Sequence, residues 1–360
     1  MRVPKPLTFF ILALFAFGSL ASAATTVVIT SPSANLTTPN ELGVVAYAYG
    51  PETVRVLQVY LDGVKKTESI WPERKRINAL ITTTAGLHTL TVQALDSNNA
   101  VVGKTTLSFS TTSTPVVLGD LDERDWNECD PAHSCNSGGN QEPTPPEVEW
   151  LQSPNQDGQS VKFPTQNPAD PYNTAYWWVV HTAPQSLAHY YKYELDLWIP
   201  SGFGNTPQGI EWECQQTVNG YVYNFAWQAQ YVRSTSGGLD NRYKVYRYPS
   251  SSGGGGWEEV GLPLTRYPEN QWTHIVAEYH VDQSGTVWHD ALTISNSLGT
   301  TRLDPYWYDP GTGAYKSISH VPPFWSGRDN QFSNAFQLDV NSSGTEYHVF
   351  VDKVRLTYVQ

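Results

Sequence analysis

Gly209-Ile210-Glu211-Trp212-Glu213-Cys214-Gln215, then Asn219-Gly220, then Tyr221-Val222-Tyr223-Asn224-Phe225-Ala226-Trp227-Gln228 is the stretch that decides the fold. Two alternating runs flank an Asn-Gly pair, the strongest short-range signal for a β-hairpin. With Asn219 and Gly220 as the loop, Val218 faces Tyr221 and the register follows by counting. Trp212 then pairs with Trp227 and Cys214 with Phe225. On the opposite face Glu211 pairs with Gln228, Glu213 with Ala226, and Gln215 with Asn224. A one-residue slip would mix the apolar and polar sets, so the pattern supports its own register. A face of Glu, Gln and Asn over a Trp-rich core suits a polyhydroxylated ligand. The plainer alternative is a solvent-facing sheet that is simply polar.

Outward from the hairpin the pattern stays all-β. Strands are expected at 160–163, 175–181, 190–199, 208–216, 221–231, 243–247, 272–281, 287–295, 334–340 and 346–358, with no amphipathic helix. The Gly/Ser run 250–256 and the Tyr/Trp/Pro-rich segment 304–327 read as loops. Aromatics in a loop that long (Tyr306, Trp307, Tyr308, Tyr315, Phe324, Trp325) point to a use. Trp212, Phe225, Trp227, Phe350 and Leu356 are the expected core of this region, residues 148–360.

Upstream, short strands separated by Asp62-Gly63, Ala85-Gly86 and Ser97-Asn98-Asn99 fill residues 24–112, the spacing of a β-sandwich. Lys65, Lys66, Arg74, Lys75 and Arg76 read there as solvated loop charges. Between the two regions, 113–147 forms a linker holding Cys129 and Cys135. These are expected to close a short disulfide loop, while Cys214 stays a buried free thiol. His133 alone near the cysteines argues against zinc. The run Asp120-Leu121-Asp122-Glu123-Arg124-Asp125 misses the EF-hand spacing, so no metal site is assigned and no cofactor is expected. A structural calcium ion there is the one exception kept open.

The first 23 residues read as a signal peptide. Arg2 and Lys5 precede the apolar run Leu7–Leu20, and Ala21-Ser22-Ala23 is an A-x-A cleavage site. That run is too short to span a bilayer, and no later stretch is long enough. A secreted protein is expected, extracellular or periplasmic. Removing Arg2 and Lys5 takes the formal charge from −12 to −14. Such a balance argues against nucleic acid and against an anionic membrane surface. Trp 13 and Tyr 21 are high counts, and stacking aromatics are what sugar rings need. Composition leaves the oligomeric state open.

Two resemblances follow. Val59-Tyr60-Leu61-Asp62-Gly63-Val64 and Gly86-Leu87-His88-Thr89-Leu90-Thr91-Val92-Gln93-Ala94-Leu95-Asp96 are similar to strands of bacterial Ig-like modules. The long strands after 148, closing on Val349–Thr357, resemble the concanavalin A-like lectin/glucanase fold, a two-sheet jelly roll. The expected fold class is thus all-β, an N-terminal Ig-like sandwich followed by that jelly roll. In such a jelly roll one concave sheet face carries saccharide.

Period two adds further polar residues that could line such a face. They are Glu194, Asp196 and Trp198 on one strand, His274, Glu278 and His280 on another, and Gln337 and Asp339 on a third. Glycoside hydrolysis uses two carboxylates, closer together for retention than for inversion. Glu211 and Glu213, about 6.5–7 Å apart at Cα, could serve either outcome. Glu211-Trp212-Glu213-Cys214-Gln215 resembles the E-x-D-x-E motif of family 16 glycoside hydrolases. The resemblance implies Glu211 as nucleophile and Glu213 as assisting acid. It puts Gln215 where the acid/base belongs, and an amide has no proton to deliver. The missing acid then comes from Glu278, Asp196 or Asp339, or the site binds without cleaving. Asp196, Trp198, Gln215, Tyr223, Asn224, Gln228, His274, Glu278, Gln337 and Asp339 are the expected substrate-binding set. A hydrolase acting on polysaccharide is the leading expectation. A lectin-like or adhesive binding protein is second. A lyase using Tyr223 or His274 as base is third, disfavoured by the shortage of cations.

Overall fold

The computed structural model describes residues 24–128, 140–141, 148–165, 173–202, 207–233, 239–250, 253–264, 267–325, 330–340 and 347–360. Residues 1–23, expected to be a signal peptide, and Cys129 and Cys135, expected to form a disulfide, lie outside that set. The chain is all-β, and among the described residues the only helical element is the 3-10 turn Glu73–Lys75. The hairpin forms as its alternation requires. Pro207–Val218 pairs with Tyr221–Arg233 in the expected register, Glu211 opposite Gln228 and Trp212 opposite Trp227. Asn219 and Gly220 have φ of 52° and 82°, the left-handed pair that a two-residue primed turn demands.

This hairpin is the middle of an eight-stranded sheet. Its order is Asn127–Glu128, Asn173–Thr182, Gln331–Val340, Pro207–Val218, Tyr221–Arg233, Leu239–Arg247, Gly256–Pro263, with Asn140–Gln141 also on Asn173–Thr182. A ten-stranded sheet packs on its inner face. It runs Glu149–Leu151, Ser160–Thr165, Tyr347–Val359, Tyr190–Trp198, Trp272–Val281, Val287–Asn296, Ala314–His320, Tyr306–Asp309, with Val116–Leu118 and Gly299–Leu303 as additions. Alternate residues of both sheets meet in one core. Trp177, Trp212, Trp227, Phe225, Phe336, Tyr191, Tyr193, Tyr243 and Tyr279 are all fully buried. Each large apolar side chain removed from water there contributes about 2–3 kcal/mol. Cys214 is a free, buried thiol in this layer, and burial pushes its pKa up. Leu356 joins the core, whereas Phe350 is buried on the other side of its strand, opposite Trp198. A bulge accounts for the change of side: Lys353, at φ 53°, takes up the extra residue between Val351 and Val354.

Thr26–Ser31, Glu41–Tyr49 and Arg76–Thr82 form a three-stranded sheet. Thr37–Pro39, Val101–Thr112, Gly86–Leu95, Val56–Leu61 and Val64–Ile70 form a five-stranded one. Leu57, Val59, Leu90, Val92 and Phe109 pack with Val44 and Ala46 between them. The three-stranded sheet lies against the outer face of the ten-stranded one, which corrects the reading of the basic residues. Arg76 is 5% exposed and donates Nε and Nη2 to the two carboxylate oxygens of Asp304, both at 2.7 Å. Arg74 stacks over Tyr306, 4.5 Å from the ring centroid. Lys65 and Lys66, by contrast, are exposed on the edge strand Val64–Ile70. Charge composition cannot tell a solvated cation from one facing a neighbouring sheet.

The segment 304–327 is also corrected. Tyr306–Asp309 and Ala314–His320 are strands, paired Tyr308 to Tyr315 and Asp309 to Ala314. Asp309 stabilises the turn between them, accepting from Gly311 N at 2.9 Å and Thr312 Oγ1 at 2.9 Å. Pro310, Gly311 and Gly313 belong to that turn, and Tyr306 is buried beneath Arg74.

Candidate functional site

The outer face of the eight-stranded sheet gathers acids from adjacent strands. Across the strands one row reads Tyr176, Gln337, Glu211, Gln228, Lys244, Glu259. Glu211 is 2% exposed and Glu213 9%. Gln228 Nε2 donates to Glu211 Oε1 and reaches Asp339 Oδ2 at 3.4 Å. Gln337 Nε2 donates to Asp339 Oδ1 at 3.0 Å, and Gln215 Nε2 to Glu213 Oε2 at 3.2 Å. Amides donate to all three of these carboxylates. Burial, then the charges of Asp339 and Glu213, push the Glu211 pKa well up, and a side-chain hydrogen bond with Asp339 adds to the rise. Burial raises Glu213 to about 7 against the pull of Gln215. A carboxyl titrating near neutrality on a sheet face can hold or release a proton there.

Aromatic rings stand on both sides of the acids. Tyr176 and Trp178, 5.7 Å apart, project from Asn173–Thr182, while Tyr246 and Trp257, 6.2 Å apart, rise from the far strands. Burial and then the charge of Glu213 push the Tyr246 phenol up. Glu213 itself lies between Ala335 and Ala226, so small residues flank it on both neighbouring strands. The result is a shallow trough with rings at either end. At about 4.8 Å per strand, it spans on the order of 24 Å from Trp178 to Trp257. These four aromatics were not in the expected set. For Tyr176 and Trp178 the signal was present, since period two puts both opposite the core residue Trp177.

Gln215, Asn224, Gln228, Gln337 and Asp339 share this face with Glu211 and Glu213. The structure does not bring the others to it. Tyr223 falls on the inward parity with Phe225 and packs against the core. Asp196, Trp198, His274 and Glu278 lie on the outer face of the ten-stranded sheet, across the core from Glu211. There His274 Nδ1 meets Asp196 Oδ1 at 2.6 Å, and Trp198 packs edge-on against Trp272. Glu278 accepts from Arg302 Nη2 at 2.5 Å under the three-stranded sheet. Period two reports which residues share a face, but not which sheet's face that is.

One cluster could hold a metal. Carboxylate oxygens of Asp122, Asp157 and Asp352 lie within 4.8 Å of one another. Asp122 is 2% and Asp352 0% exposed. Asp122 Oδ1 accepts from Val354 N at 2.7 Å and Asp352 Oδ2 from Gln156 N at 2.6 Å. Burial raises Asp122 to about 7 and Asp352 to about 6, with each acid's neighbours adding to the rise. All-oxygen donors of this kind suit a hard divalent cation. The cluster sits at the Asp352–Lys353 bulge, away from the Glu211 face. Only Asp122 comes from the 120–125 run.

No family model and no curated protein matches the chain. Solved structures do. Lectin II from Ulex europaeus aligns at TM-score 0.33 and 9% identity, over 60% of this chain and 95% of the lectin. A GH131 β-glucanase catalytic domain from Podospora anserina aligns at 0.28 and 12%, over 55% and 71%. Fibronectin(III)-like modules of Clostridium thermocellum CbhA align at 0.20 and 16%, over 24% and 95%. At such identities and scores the functional reading rests on the residues themselves.

Proposed function

We propose that this is a secreted polysaccharide-active protein, and that the trough on the outer face of the eight-stranded sheet is a glycoside hydrolase site. One observation carries the reading: three carboxylates, Glu211, Glu213 and Asp339, converge between two pairs of aromatic rings on one sheet face. Rings offer stacking surfaces for pyranoses, and the amides of Gln215, Gln228, Gln337 and Asn224 offer partners for hydroxyls. Asp339 supplies the acid that Gln215 cannot. The scarcity of cations on this face disfavours uronate substrates and the lyase chemistry that acts on them.

Non-catalytic binding is the second reading, favoured by Gln215 at the acid/base position of the family 16-like motif. An Ig-like module ahead of a concanavalin A-like domain fits either. The test is a panel of neutral, aminated and uronate polysaccharides, read for new reducing ends and for retention in native gels. Release of reducing ends supports hydrolysis. Retention without release supports binding, and neither would overturn both.

A further inference from the structure

Trp198 and Trp272 do not reach the trough, yet they belong to an arrangement of their own. Trp198 ends the strand Tyr190–Trp198, Trp272 opens Trp272–Val281, and the two are opposite each other in the register. Their half-buried indoles meet edge to face, centroids 5.5 Å apart and planes at 63°. Two residues along the same strands Asp196 pairs with His274. Asp196 is buried and both its oxygens are engaged, Oδ1 accepting from His274 Nδ1 at 2.6 Å and Oδ2 from Gln156 Nε2 at 2.8 Å. Gln156 is anchored in turn, its backbone N donating to Asp352 Oδ2 at 2.6 Å. The imidazole is thus fixed with a proton on Nδ1, which leaves Nε2 to meet a ligand. Nε2 lies 3.9 Å from Glu194 Oε1, too far for a hydrogen bond, and the His274 side chain is 44% exposed.

We propose that Trp198, Trp272 and His274 form a second saccharide-binding site, for a neutral pyranose chain, across the sandwich from the trough. The rings set the class of ligand: one indole face takes the C–H face of a sugar, and the other, at 63°, walls it. His274 Nε2 and Glu194 Oε1 lie within one or two residue steps along the strands, about 6.5–7 Å per pair of residues, where ring hydroxyls project. Charge favours a neutral ligand, since Glu194 and Asp196 are offset by Lys192, 3.3 Å from Glu194, and by Arg355 opposite Glu194. Area disfavours a protein: a stable interface covers about 800 Å² per partner around an apolar centre. Here the apolar surface is two half-buried indoles, and the neighbouring Phe350 is 8% exposed.

Contacts from the N-terminal three-stranded sheet fall further along, at Glu278, Asp290, Arg302, Asp304 and Ser317. Glu278 is four residues beyond His274 on the same strand, so the two uses of this face are separated along it. A sugar held at Trp198 is across the core from Glu211 and cannot enter the trough. The second site therefore holds the protein on a polymer while the trough engages another stretch of it. Asp196 and Gln156 are positioning residues, touching the imidazole and not the sugar. The inference rests on the polysaccharide part of the proposed function and not on its hydrolytic part.

The test is retention of the full chain in native gels containing a neutral glucan, a galactomannan or polygalacturonate, with turnover on the same probes read separately. Each variant is made in the unmodified chain and in Trp257→Ala, which removes a trough ring. Trp198→Ala and Trp272→Ala should each weaken retention on a neutral gel about tenfold in at least one of these backgrounds, the loss of one stacking surface. His274→Ala should cost a few-fold, and Asp196→Asn should cost nothing more in the His274→Ala background, as a purely structural acid would not. If Trp198→Ala does not fold, Trp272→Ala and His274→Ala carry the test. Retention indifferent to every one of these substitutions, retention on polygalacturonate alone, or none on either neutral gel overturns the second site. Turnover lost in Glu211→Gln with retention indifferent to Trp272→Ala keeps the hydrolase reading and overturns this one. Retention lost in Trp272→Ala with no turnover on any probe upholds the second site and overturns the hydrolase reading.

Discussion

The two outer faces of the large sandwich carry similar residues and treat them in opposite ways. On the ten-stranded side Glu278 meets Arg302, and Asp304 meets Arg76 from the N-terminal sheet. Asn78 accepts from Arg302 Nε at 2.9 Å and donates to the Asp290 carbonyl at 2.9 Å. Gly43 leaves room for the Glu278–Arg302 pair, since a β-carbon there would lie 2.6 Å from Arg302 Nη2. On the eight-stranded side Gly209 makes room for Asp339 and the Gln228 amide, since a β-carbon there would lie 3.2 Å from Asp339 Oδ2 and 3.3 Å from Gln228 Nε2. A face that is covered for good has its charges neutralised. A face whose acids are held by amides keeps its proton chemistry available, at a standing cost in stability.

The largest effect expected from this contrast is on turnover. Glu211→Gln or Glu213→Gln keeps the shape of the trough and removes a proton carrier, so loss of about 10²–10⁴-fold in rate is expected. Glu278→Gln, on the covered face, should leave the rate within a few-fold. An equal loss from Glu278→Gln would place the chemistry on the wrong face. Next in size is the covered face itself. Arg76→Ala leaves Asp304 without its bidentate partner beneath a packed sheet, a loss of about 2–4 kcal/mol. Urea unfolding should show the midpoint fall, with the N-terminal sandwich separating from the rest. An unchanged midpoint would mean that the contact holds nothing in place.

The hairpin was legible in full, because Asn219-Gly220 fixes the turn and the alternation of Trp212 and Glu213 fixes the register. Gln337 and Asp339 were legible for the same reason. Asp196, His274 and Glu278 obey an identical alternation, yet nothing local says that their strands belong to the other sheet. The docking of Arg76 was illegible as well. Its partner Asp304 is 228 residues away, and only tertiary assembly brings the two together. Gly209 read as a mere strand residue, since the reason for its missing side chain lies on Gln331–Val340 and Tyr221–Arg233.

A third difference between the faces is their response to pH. Glu213 has a folded pKa of about 7 against an ordinary 4.5, and Glu211 is also raised. The folded state thus holds protons that the unfolded chain has released. Stability from Glu213 is fully present below about pH 4.5 and is lost as pH rises through about 7. For Glu213 this amounts to at most about 3 kcal/mol. Glu213→Gln should flatten the fall of the urea midpoint between pH 4.5 and 7.5. A midpoint that instead rises with pH across this window would mean that these acids are ionised and well solvated.

The smallest effect concerns Asp122, Asp157 and Asp352, where the same sign applies. Asp122 at about 7 and Asp352 at about 6 both lie above the ordinary 3.8, so protonation favours the folded state here too. Their contribution fades as pH rises from about 4 to 7, but their backbone donors and facing oxygens allow a different relief. A divalent cation is expected to replace the protons and to bind only the folded arrangement. For a site in the millimolar to submillimolar range, 5 mM calcium should add about 1–2 kcal/mol at pH 7.5. At pH 4.5, where protons already occupy the oxygens, it should add nothing. Asp352→Asn should abolish the calcium effect and leave the pH response of the Glu211 face unchanged. A calcium effect that survives Asp352→Asn, or one that moves with Glu213→Gln, would relocate the cation to the trough and remove the distinction between the two sites.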